Sequence, residues 1–74
     1  MIVSVRIRTR RPDGRDNEEL YAEATEGFRA LHRNLDAHRR LGHNITRDPS
    51  HTFYTVTDSR GVLVQQSEVV RTEL

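Results

Sequence analysis

Seventy-four residues, 34% of them hydrophobic and 31% charged, allow one small domain with a lean core. Cysteine is absent, which excludes disulfides, thiolate metal sites and thiol catalysis, and no apolar run approaches the roughly 18 residues of a membrane span. The net charge of +1 is too small by itself to announce a nucleic-acid binder.

The chain reads as one domain over residues 1-74, and its hydrophobic residues are patterned enough to argue against disorder. The start turns basic after a very short apolar stretch, the reverse of a secretory signal, so a cytoplasmic location is expected. From about residue 2 to 10, Val3, Val5 and Ile7 alternate with Ser4, Arg6, Arg8 and Arg10, the period of a half-buried strand. Arg11-Pro12-Asp13-Gly14 supplies turn residues that end it.

A helix is expected over about 17-41. Asp16 or Asn17 would cap it, with Glu19 completing a capping box. Leu20, Tyr21, Ala24, Phe28, Leu31 and Leu35 recur on one stripe, extended by His38. Glu18, Glu19, Glu23 and Glu26 precede Arg29, Arg33, Arg39 and Arg40, in the order that suits the helix dipole. Asp36 can pair with Arg39 or Arg40, and Leu41-Gly42 supplies the stop. Gly27, costly inside a helix, implies close approach to a sheet. The polar stretch His43 to Ser50 reads as a connection. Beyond it, a β-hairpin is expected over about 52-71, turning at Asp58-Ser59-Arg60-Gly61 with glycine closing a bulge.

The expected fold is α+β: a small β-α-β-β domain, a three-stranded mixed sheet with one long helix packed on one face. The helical crossover would make the first strand parallel to the first strand of the hairpin. The last strand could lie between them. One helix leaves the other sheet face open, so a homo-oligomer or a partner is expected to complete the small core.

Little in the chain suggests catalysis. His32, His38, His43 and His51 have irregular spacing, with no metal-binding pair on the helix, so neither metal nor cofactor is expected. No nucleophile motif, phosphate-binding glycine loop or paired-carboxylate spacing appears. The exception is His51. Leu41-Gly42-His43, Pro49-Ser50-His51 and Ser59-Arg60-Gly61-Val62 together resemble the HicA family of small toxins, ribonucleases with a double-stranded-RNA-binding-like fold. That family ends a helix in Leu-Gly and opens a hairpin with Gly-Ser-His; here Pro49 stands in place of the glycine. The resemblance implies a catalytic His51 and an alternative function as a toxin ribonuclease.

All twelve basic residues are arginine. GC-rich coding explains this, and so does a use for planar, bidentate contacts with phosphate or carboxylate. Arg6, Arg8 and Arg10 share one strand face, and Arg11 and Arg15 follow in the loop. These five are the candidate partner-binding residues, to be weighed against a charged edge strand guarded from aggregation. The function expected is therefore non-enzymatic: a binding module docking on a protein or nucleoprotein, with nucleic acid possible. In size and composition the chain resembles small regulators and inhibitors of phages and mobile elements, anti-CRISPR proteins among them.

Overall fold

The computed structural model describes residues 2–73, with side chains from Ser4 to Thr72; the inward place expected for Val3 lies outside the described side chains. Its elements are β1 (Ile2–Arg10), β2 (Asn17–Tyr21), α1 (Ala24–Arg40), β3 (Asn44–Arg47), β4 (Phe53–Thr57) and β5 (Leu63–Glu73). The fold is α+β with one helix, but the sheet has five strands in the order β2-β1-β5-β4-β3, every neighbouring pair antiparallel. The expected three-stranded mixed sheet is thus corrected.

Two strands were hidden in segments read otherwise. Asn17–Tyr21 forms no part of the helix; it turns back on β1, pairing Arg8 with Glu18 and Ile7 with Glu19. The expected capping box therefore does not form. Asp16 instead accepts a bond from the Arg11 amide inside the β1–β2 loop (3.2 Å), and α1 starts after Glu23 with no side-chain cap. The second hidden strand is Asn44–Arg47, which pairs with β4 and turns Ile45 toward the core. The mixed character disappears for a topological reason. β1 and β4 do point the same way, but β5 lies between them and runs against both.

The turns obey their residues. Gly42 takes a φ of 80° after Leu41; its amide donates to Arg39 O and that of His43 to His38 O, a Schellman close to the helix. In the β4–β5 turn the Gly61 amide donates to Asp58 O at 3.0 Å, and Asp58 Oδ1 accepts from the amides of Arg60 and Val62. That is the type I turn with a glycine bulge expected there.

The core lies between α1 and one sheet face: Val5, Ile7, Leu31, Leu35, Tyr54, Val56 and Val69. Phe28, Tyr21 and Ala24 pack at its margin, but Leu20, counted in the helical stripe, stands outside it, 66% exposed. Three polar residues also sit on the helix-facing side, buried: Thr9, Gln65 and Ser67. The Thr9 and Ser67 hydroxyls face each other across β1 and β5 at 3.4 Å. Among the described residues no helix is long and apolar enough to cross a membrane.

Candidate binding face

The helix covers one side of the sheet, so the other side is decided by strand register. Alternation puts Arg6, Arg8 and Arg10 of β1 on the side away from Val5 and Ile7. Register then names their neighbours. Arg6 lies between Leu20 and Val70, Arg8 between Glu18 and Glu68, and Arg10 beside Gln66. Phe53 on β4 pairs with Glu68 and so joins the same face, 40% exposed.

Charge on this face is partly cancelled. Glu18 Oε1 receives Arg6 Nε at 2.7 Å and Arg8 Nε at 3.6 Å, so two guanidinium groups converge on one carboxylate. All three side chains are 40% to 46% exposed, so the contacts are worth about 1 kcal/mol or less each, though they fix where the guanidinium planes point. Arg10, at the end of the row, has no ion-pair partner among the described residues. The result is a mixed surface: Arg6 has apolar neighbours on both strands, Arg8 stands between two glutamates, Arg10 lies beside a glutamine, and Phe53 closes the β4 side.

Arg11 and Arg15, grouped with that row from the sequence, are placed elsewhere. Arg11 Nη1 donates to Arg15 O at 2.8 Å and to Asn17 Oδ1 at 3.0 Å, fastening the β1–β2 loop. Arg15 Nε pairs with Asp13 at 2.5 Å, and the Arg15 amide donates to the same carboxyl at 3.0 Å. These two bonds, the amide's first, hold Asp13 below the ordinary carboxylate range. Both arginines are committed to the loop and stand apart from the row.

His51 sits in the β3–β4 turn with φ 59°, its amide donating to Asp48 O at 3.0 Å. The neighbouring carboxylate is taken: Asp48 accepts the Ser50 hydroxyl and the amides of Thr52 and Phe53 at 2.7 and 2.8 Å. The Ser50 hydroxyl first, then the Phe53 amide, lower the Asp48 pKa to about 2. His51 itself is exposed and makes no side-chain hydrogen bond among the described residues. The structure therefore brings it neither an acidic partner nor the arginine row.

Sequence reasoning missed a polar chain beneath the helix end. Gln65, 1% exposed, accepts from His38 Nε2 at 3.2 Å and donates to Asn34 Oδ1 at 2.6 Å; His38 Nδ1 meets His43 Nδ1 at 3.0 Å. The donors are self-consistent when His43 donates to His38 and His38 to Gln65. Among the described residues no group of three potential ligands is placed to hold a metal. No protein-family model matches this chain, and neither a curated protein nor a solved structure does.

Proposed function

We propose that this protein is a non-enzymatic binding module that docks its open sheet face on a protein partner. The supporting observation is the pairing of Arg6 and Arg8 with Glu18 amid Leu20, Val70 and Phe53. A polyphosphate would favour a row of uncompensated cations. Here two of the three arginines already carry a carboxylate, and Glu68 lies opposite Arg8. Arginine and aromatic side chains such as Phe53 are among the residues enriched at protein interfaces. Arg10, left at the row's end, is the place for a partner carboxylate, through a bidentate contact.

The test compares wild type with a variant carrying Arg10→Ser, Leu20→Ser and Phe53→Ser, both used to capture binders from nuclease-treated and untreated lysate of the source cells. A binder that survives nuclease and is lost with the variant supports the reading. Binders that vanish with nuclease, or that the variant retains, sink it. Light scattering then separates the two protein outcomes. A mass above 8.6 kDa for the purified chain that falls to 8.6 kDa in the variant assigns the face to a second copy, and a monomeric wild type assigns it to an unrelated protein.

A further inference from the structure

The helix does not cover the sheet evenly. On the β3 side it leaves an open cleft of about 460 Å³. Its floor is apolar: Leu35 of α1, Ile45 of β3 and Tyr54 of β4. Its rim is basic. His32 and Arg39 stand three and four residues either side of Leu35 on the helix, and Arg47 faces them from β3. No carboxylate lines it among the described residues. Three other clefts each mix arginine with acid: Arg11 with Glu19, Arg8 and Arg10 with Glu18, and Arg15 with Asp13. The α1–β3 cleft differs in sign from all three.

From this geometry we infer that the α1–β3 cleft is an anion site that takes a phosphoryl group, held between Arg39 and Arg47 over the Leu35–Ile45–Tyr54 floor. Arg47 has no ion-pair partner among the described residues, so its guanidinium is available to a ligand. Arg39 gives Nη1 to Asp36 at 2.6 Å, but Asp36 does not line the cleft, so the other N–H donors of this guanidinium are left for a ligand there. Two forked guanidinium groups suit a phosphoryl group's several oxygens better than ammonium groups would. Ile45, the partly exposed side chain of the floor, would touch an apolar substituent on the phosphate. This site is independent of the docking face, because neither Arg39 nor Arg47 lies there.

The experiment is a titration of the isotope-labelled protein followed by amide shifts, at constant ionic strength. The probes are inorganic phosphate, adenosine monophosphate, adenosine and a ten-residue thymidylate strand, with sodium chloride as the control. Phosphate and the monophosphate are expected to shift the amides of His32, Arg39, Thr46 and Arg47 at millimolar concentration, the monophosphate more tightly, while adenosine alone does not. Arg47→Glu should weaken both at least tenfold. That residue is exposed on a sheet edge, and an unchanged spectrum elsewhere verifies the fold. If the oligonucleotide moves the same amides, the phosphoryl group belongs to nucleic acid; if the monophosphate moves them and the oligonucleotide does not, to a free nucleotide. Equal shifts with chloride, or undiminished phosphate shifts in Arg47→Glu, overturn the site.

Discussion

Gly27 of α1 lies against Val5 of β1 so closely that a Cβ on the glycine would overlap Val5 Cγ2 and sit 3.3 Å from Tyr21 Cβ. Val5 is fully buried and cannot swing away, so the contact sets how near the helix comes to the sheet. Alanine improves helix propensity by about 1 kcal/mol, and overpacking in a core costs about 1–3 kcal/mol. The steric effect is expected to win. Gly27→Ala should lower unfolding stability by about 1–2 kcal/mol in urea. In a Val5→Ala background, where the offending methyl is gone, the same substitution should cost nothing or stabilise. A loss of equal size in both backgrounds would show that the contact is not the cause.

The Asn34–Gln65–His38 chain ties the last turns of the helix to β5 through a side chain with almost no solvent contact. Gln65→Leu keeps the volume but leaves His38 Nε2 and Asn34 without that partner. Stranding hydrogen-bonding groups costs about 1–3 kcal/mol. The variant should unfold at correspondingly lower urea, with early loss of amide-exchange protection around His38. An unchanged midpoint would mean that water replaces the glutamine.

What could be read in the sequence followed the strength of local signals. The alternation from Val5 to Arg10 defined β1 and its two faces, so the direction of Arg6, Arg8 and Arg10 was legible. Gly42 and Gly61 marked the helix stop and the hairpin bulge because each needs a positive φ there. Asn17–Tyr21 misled for a physical reason. Glu18, Glu19 and Leu20 are good helix formers, and their extended shape comes only from pairing with β1. With that strand unseen, Glu18 was a helix acid, and its place between Arg6 and Arg8 was out of reach. β3 is only four residues long, too short for alternation to announce itself, and the cleft beside it was equally hidden.

Asp48 organises the β3–β4 turn as an acceptor, which makes part of the stability depend on pH. Its folded-state pKa is about 2 against an ordinary 3.8, so the carboxylate form is favoured by folding. That stabilisation is fully present above pH 4 and is lost as pH falls toward 2. Asp48→Asn removes the titration while keeping an acceptor oxygen. The stability gap between wild type and this variant is expected to close between pH 4 and pH 2, measured by urea unfolding. A gap that stays constant over that range would rule out the carboxylate as the source.

Glu18 controls much of the charge of the open face, because among the described residues it is the carboxylate contacted by both Arg6 and Arg8. Glu18→Gln removes one negative charge and raises the net charge from +1 to +2. The exposed ion pairs carry little stability, so unfolding should shift by less than about 1 kcal/mol. The face itself should change more. With both guanidinium groups released beside Arg10, three cations stand about 7 Å apart along β1, a spacing a polyanion can follow. The variant is therefore expected to elute from heparin at distinctly higher salt than wild type, with a steeper dependence of binding on salt. Glu26→Gln, on the exposed side of the helix, makes the same change in net charge away from the row. If the two variants elute together, only net charge matters, and Glu18 does not hold the arginines in check. A later elution for Glu18→Gln alone would show that this one carboxylate keeps the face from behaving as a polyanion binder.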